Sequence, residues 1–259
     1  MIDSSNSCLI ITGMHRSNTS FLAKSFMEAG LHIGDDLVPA DQFNQEGHFE
    51  DQEFVTFHQS LIKKYKLTSW YSIIDYKKCR TLKFQAADKE QAQSIIQSRW
   101  VNRGLFGWKD PRTCHFLPFW KELIPQAKFI FIVRDPEASV SSLLRRYRQN
   151  NGASYRPDLW HRYHRFWQVA NQQIIDACRH YQDDVHLIIT PEDINNPERS
   201  AALNNTLSNQ WGLSLRPVHL SDGYRKDLIT SPTSKAATRS NKKSIELYEQ
   251  LKVLRNTLV

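Results

Sequence analysis

Residues Gly13-Met14-His15-Arg16-Ser17-Asn18-Thr19-Ser20 place a guanidinium and three hydroxyls in one short stretch, directly after the apolar run Cys8 to Thr12. Donors at that density suit phosphate oxygens, helped by the backbone N–H groups that open a following helix. The nucleoside-triphosphate loop G-x-x-x-x-G-K-S/T sets a lysine on the β/γ-phosphates and a hydroxyl on magnesium. In this chain Gly13 matches, Asn18 replaces the second glycine, Thr19 replaces the lysine and Ser20 keeps the hydroxyl. Asparagine tolerates the left-handed backbone that the second glycine supplies, so the turn survives the exchange. Arg16 inside the loop fits a terminal phosphate group, whereas the missing lysine makes the loop poorly built for ATP hydrolysis.

The run His15-Arg16-Ser17-Asn18-Thr19-Ser20 resembles the 5′-phosphosulfate loop of sulfotransferases that use 3′-phosphoadenosine 5′-phosphosulfate (PAPS), usually H/P-K/R-S-G-T-S/T. Three further segments are similar to that family's, in its order. Asn44-Gln45-Glu46-Gly47-His48-Phe49-Glu50 resembles the bacterial N-P-x-G-H/Y-F/W-E, with Gln45 in place of proline. Trp108-Lys109-Asp110-Pro111-Arg112 resembles the lysine segment beside the sulfuryl group. Arg134-Asp135-Pro136 followed by Ser142 resembles the 3′-phosphate element R-D/N-P-x-x-x-x-x-S. On a helix Ser139, Ser142 and Arg146 share one polar flank, so a serine there can face a ligand held by Arg134. Two phosphate sites, each after its own strand, suit a nucleotide phosphorylated at both its 3′ and 5′ ends better than ATP.

The resemblance implies a P-loop nucleoside-kinase-like fold that holds PAPS through His15, Arg16, Ser17, Asn18, Thr19, Ser20, Arg134 and Ser142 and releases 3′,5′-adenosine bisphosphate (PAP). It implies in-line sulfuryl transfer to a small-molecule or glycan acceptor. Such a transfer needs stabilisation of a loose, electron-rich transition state, as phosphoryl transfer does. Arg16 and Lys109 are the residues expected to supply it, without a metal. A general base adds about 10²- to 10⁴-fold, and the candidates are Glu50, Glu46 and His48, with Glu50 in the better-matched segment. Thr190-Pro191-Glu192-Asp193-Ile194 is similar to the family's Y-E-D-L, but Pro191 stands where the adenine-contacting tyrosine would be. An atypical P-loop kinase and a non-catalytic nucleotide-binding domain of the same fold are the alternatives.

These residues need strands and helices to hold them. Cys8 to Thr12, Phe129 to Val133 and His186 to Thr190 are short apolar runs that alternate with helical patterns. Such alternation predicts an α/β three-layer sandwich around a central, mostly parallel sheet. Phe21, Leu22, Phe26 and Ala29 mark a helix after the loop, capped by Gly30. Asp135, Pro136 and Glu137 open another, with Val140, Leu143, Leu144 and Tyr147 as its apolar stripe. A long helix carries Trp160, Tyr163, Trp167, Ala170, Ile174 and Ala177, and a last one begins near Lys243 with Leu247, Leu251, Leu254 and Leu258. Residues 68–103 hold one helix, around Gln91 to Trp100, but no clear strand, and are expected to be an insertion or lid; residues 221–243 are expected to be a mobile loop.

At 259 residues, 40% apolar and 24% charged, the chain suits one domain, 1–259, with a large core. Cys8, Cys79, Cys114 and Cys178 have no paired spacing, which points away from zinc sites and disulfide frameworks. No apolar run approaches a membrane span or a secretory leader, so a cytoplasmic protein is expected. A net charge of +7 favours anionic partners. The aromatic, basic stretch Tyr155 to Trp167 is read as core packing and not as a nucleic-acid surface, because its aromatics recur at helical spacing.

Overall fold

The computed structural model describes residues 7–42, 44–69, 73–100, 103–152, 156, 158–181, 186–220 and 241–256. In chain order these form β1 (Ser7–Thr12), α1 (Thr19–Glu28), α2 (Gln52–Lys64), the short strands β2 (Thr68–Ser69) and β3 (Ile73–Ile74), α3 (Tyr76–Thr81) and α4 (Ala86–Trp100). There follow β4 (Leu105–Lys109), α5 (Leu117–Leu123), β5 (Lys128–Ile132), α6 (Pro136–Asn151), α7 (Asp158–His180), β6 (His186–Ile189), α8 (Pro197–Asn205) and α9 (Lys242–Asn256).

The central sheet has the order β4-β1-β5-β6, and every pairing in it is parallel. Strands of a parallel sheet are apolar on both faces because helices cover both. Alternate residues therefore enter two cores. Ile10, Phe106, Trp108, Phe129 and Phe131 pack under Phe54 and Phe57 of α2, Trp120 of α5 and Trp167 of α7. Leu9, Ile11, Ile130 and Ile132 pack against Leu22 and Phe26 of α1 and Leu203 of α8. The three-layer sandwich expected from the sequence is the observed fold.

Two helix ends follow the local chemistry. Asp135 accepts the N–H of Ala138 at 2.9 Å, with Pro136 opening α6. Gly30, at φ 106°, ends α1 with the Leu31 N–H on the Phe26 carbonyl, a Schellman closure. Strand β4 was not read from the sequence: its five residues include Gly107 and carry no alternation, since both faces are buried. Residues 68–103 contain β2, β3, α3 and α4, and Ala92 and Ile96 of α4 are fully buried in the core. Residues 221–240 lie outside the described residues, while Lys242 and Lys243 begin α9; Leu247 and Leu251 of that helix are buried, and Leu258 is outside the described residues.

Strand β1 lies between β4 and β5, so the chain leaves it towards one side and later returns on the other. The crevice beyond the carboxyl ends of such strands is where open α/β sheets bind ligands. The loop from Gly13 follows β1, Lys109 ends β4, and Arg134 lies just beyond β5. The topology thus brings three segments far apart in sequence to one crevice.

Candidate active site

The loop between β1 and α1 is built by close backbone contacts. A Cβ on Gly13 would lie 2.2 Å from the Ile132 carbonyl oxygen, so only glycine lets the chain pass β5 there. Arg16 and Asn18 both take left-handed conformations, at φ 69° and 68°. Asn18 does what the sequence required of it in place of glycine. It precedes α1 without a side-chain cap, and no acidic residue occupies the first turn. The amides opening α1 therefore keep their partial positive charge for an anion. Ser17 and Thr19 are buried in the loop, and the Asn18 Nδ2 is buried without a hydrogen-bond partner.

The segment from Arg134 to Ser142 meets this loop directly. Arg16 Nε donates to Ser142 Oγ at 3.0 Å, across 126 positions of sequence, and Arg134 donates to the Arg16 carbonyl at 3.1 Å. The Trp167 indole holds the Arg134 carbonyl at 3.1 Å. Arg16 and Ser142, with Gln42, Arg145, Arg146 and Gln149, line a pocket of about 160 Å³. Burial lowers the Arg16 pKa, and repulsion from Arg146, Arg134 and Arg145 lowers it further. A crowd of like charges that destabilises its own central member is the electrostatic condition that a bound anion relieves.

Lys109 approaches the loop from the neighbouring strand β4. From the end of β4 its Nζ, fully buried, donates to Ser20 Oγ at 3.1 Å, the His48 carbonyl at 2.8 Å and Glu50 Oε1 at 2.8 Å. An ammonium thus reaches the loop's Ser20 from a neighbouring strand. Burial lowers the Lys109 pKa, and Glu50 opposes that shift. The other oxygen of Glu50 accepts from Arg112 at 3.2 Å, and Arg112 also binds Asp110 at 2.8 Å. Behind them, the Trp120 indole donates to His58 Nε2 at 2.9 Å, which leaves the imidazole proton on Nδ1, 2.7 Å from Asp110 Oδ2. Burial pushes the Asp110 carboxyl up, but His58 and Arg112 outweigh it and hold the group well below the usual carboxylate range.

The three base candidates are placed differently. Glu50 is buried between Lys109 and Arg112. Glu46 is on the surface, paired with Lys24 at 3.2 Å. The His48 ring turns to Asp41 at 3.2 Å, and only its carbonyl reaches Lys109. Sequence reasoning did not assign Arg112, although it sits in the segment quoted for Lys109; His58 and Trp120 carry no local signal at all, since their roles come from packing.

A cavity of about 710 Å³ adjoins this centre, reached by His15, Arg112 and His115 and walled by Ile62, Ile74 and Phe166. Tyr163 and Phe166 line it from α7, with Leu159, so the stretch read as core packing is in large part a cavity wall. Helical spacing identified the buried face; it did not reveal that part of that face looks into a void. Burial, then Arg112, lowers the His15 pKa to about 4, and burial lowers that of His115 to about 3, so both rings are neutral at pH 7. Among the described residues, no cluster of His, Cys, Asp or Glu can hold a metal ion, and no helix is long and apolar enough to cross a membrane.

Comparison with known proteins bears on the family and the fold. A family model described as "Sulfotransferase family" matches residues 9–202. Among solved structures, the sulfotransferase domain from the curacin biosynthetic pathway is similar at 16% identity and a TM-score of 0.54, covering 95% of this chain and 97% of its own. A sulfotransferase from Alicyclobacillus acidocaldarius is similar at 11% identity and a TM-score of 0.54, covering 97% of this chain and 96% of its own. One from Mycobacterium tuberculosis H37Rv has 14% identity and a TM-score of 0.50 over 95% of this chain and 76% of its own. At these identities the structures speak for the fold. No curated protein sequence matches the chain.

Proposed function

The chain belongs to the sulfotransferase family, and from that premise we propose that it moves the sulfuryl group of PAPS to a hydroxyl or amine of a small-molecule or glycan acceptor. The observation that carries the donor assignment is the Arg16 to Ser142 hydrogen bond, with Arg134 on the Arg16 carbonyl. It joins the two phosphate elements into one basin, and a nucleotide phosphorylated at both ends is the ligand that needs both. In this reading His15, Arg16, Ser17, Asn18, Thr19 and Ser20, with the α1 amides, hold the 5′-phosphosulfate. Arg134 and Ser142 hold the 3′-phosphate, with Arg145 and Arg146 adding charge.

The acceptor oxygen forms its bond to sulfur as the bond from sulfur to the bridging phosphate oxygen breaks. The electron pair leaves with PAP, and Arg16 and Lys109 stabilise the charge that develops on that oxygen. Glu50 takes the acceptor proton. Its two oxygens are held by Lys109 and Arg112; the incoming sulfuryl group competes for Lys109 and frees one carboxylate oxygen to act as base. Glu46 and His48, engaged with Lys24 and Asp41, stand behind Glu50 in this role.

Calorimetric titration without metal tests the donor site. PAP binds, and Arg16→Ala and Arg134→Ala each weaken it by about tenfold or more, the loss expected for a charged hydrogen bond. Binding of magnesium-ATP alone would favour a kinase. With labelled PAPS, Glu50→Gln abolishes transfer and Glu46→Gln retains it; the reverse result would move the base to Glu46.

A further inference from the structure

We propose that the acceptor is an amphipathic acid: a molecule with an apolar body, a reacting hydroxyl and a separate anionic group that the cavity arginines recognise. The inference rests on the sulfotransferase reading for the identity of the reacting end, and on the cavity lining for the rest. At about 710 Å³ the cavity lies within the range of roughly 300–1,000 Å³ that small-molecule sites occupy. Among its described lining residues none is acidic, while Arg112, Arg156 and Arg162 all reach it.

The three arginines divide by position. Arg112 is bound to Glu50 and belongs to the reacting centre. Arg156 and Arg162 flank the start of α7 and both bind Asp158, at 3.1 Å and 2.9 Å. The Arg162 side chain is only 11% exposed, so its guanidinium is held close to the cavity wall and is not waving in solvent. A planar guanidinium held at the cavity wall is suited to a carboxylate. Ile62, Ile74, Leu159, Tyr147, Tyr163 and Phe166 supply the surface between. Gln59, Thr68 and Asn151 add neutral polar groups to the lining, and the continuous apolar surface is that of Ile62, Ile74, Leu159 and Phe166. An apolar chain or ring buries there favourably.

The test is calorimetry of the full chain with 12-hydroxydodecanoate and with its primary amide, alongside the PAP titration. The carboxylate binds at least about tenfold more tightly than the amide, as expected for one charge-assisted contact. Arg162→Gln removes that preference, and Arg162→Lys, which keeps the charge without the fork, retains part of it. The PAP affinity is the same in all three proteins. Equal binding of acid and amide, no binding of either, or an unchanged preference in Arg162→Gln overturns the proposal; with PAP still bound, any of these leaves the sulfotransferase reading intact. Conversely, a carboxylate preference in a protein that does not bind PAP upholds the anion-selective cavity and removes the donor assignment. Transfer of label from PAPS to the hydroxyl of 12-hydroxydodecanoate, and not to its amide at the same concentration, then joins the two sites.

Discussion

Replacing Lys109 with methionine removes one charge from a closed ion-pair centre and keeps most of the apolar stem. The ammonium is fully buried, and its three partners are Ser20, the His48 carbonyl and Glu50, all within 3.1 Å. Its loss leaves the Glu50 carboxylate, whose side chain is 8% exposed, with Arg112 at 3.2 Å. Breaking a buried pair by deleting one partner costs about 3–5 kcal/mol, and the surviving Arg112 contact puts this case near the lower figure, about 3 kcal/mol. Glu50→Gln in the same chain removes the stranded charge, so the double variant recovers about 2 kcal/mol of that loss. Urea unfolding of the ligand-free wild type, both single variants and the double variant at pH 7 gives the cycle, read from midpoints at a common slope. A Lys109→Met chain within about 1 kcal/mol of wild type, or a double variant that loses the sum of the singles, would refute the argument that the pair is desolvated and coupled.

His15 and His115 give a pH dependence. Their folded pKa values, about 4 and about 3, lie below the unfolded 6.5, so the fold favours the neutral rings. That stability is complete above the unfolded value and is lost as pH falls towards the folded ones. Between pH 7 and 5.5 each ring loses about 1 kcal/mol, and the two together lose about 2 kcal/mol. Urea unfolding at the two pH values checks this, and His115→Gln should show about half the drop; an equal drop in wild type and variant contradicts the assignment. PAP should reduce the part due to His15, because a phosphate anion beside the ring favours its charged form. At the loop, Asn18→Gly removes a left-handed side chain and a buried, unpartnered amide, so thermal unfolding should rise slightly. Asn18→Ala should lose about 1 kcal/mol from the same backbone position.

Legibility in the sequence varied with the range of the interaction. Asp135 and Pro136 at the start of α6, Gly30 at the end of α1 and the left-handed Asn18 were all readable, because each depends on a few neighbouring residues. Strand β4 was not, because five residues buried on both faces carry no periodicity and the pairing with β1 is the property that defines them. The same limit applied to His58 and Trp120, which support Asp110 from α2 and α5. It applied also to Tyr163 and Phe166, whose spacing gave the face but not the cavity in front of it.

The amino-acid sequence by itself determined the hydroxyl-rich loop around Arg16, the α/β alternation and the four segments whose order resembles sulfotransferases, since each is a pattern of residue types at short spacing. The tertiary structure alone decided how they meet. It put Lys109 beside the loop's Ser20. It set Ser142 on Arg16, turned Glu50 inward and left Glu46 on the surface. Local backbone preference acts over a few residues and can be read along the chain, whereas β1 between β4 and β5 joins positions about a hundred residues apart through packing and pairing, which no local stretch encodes.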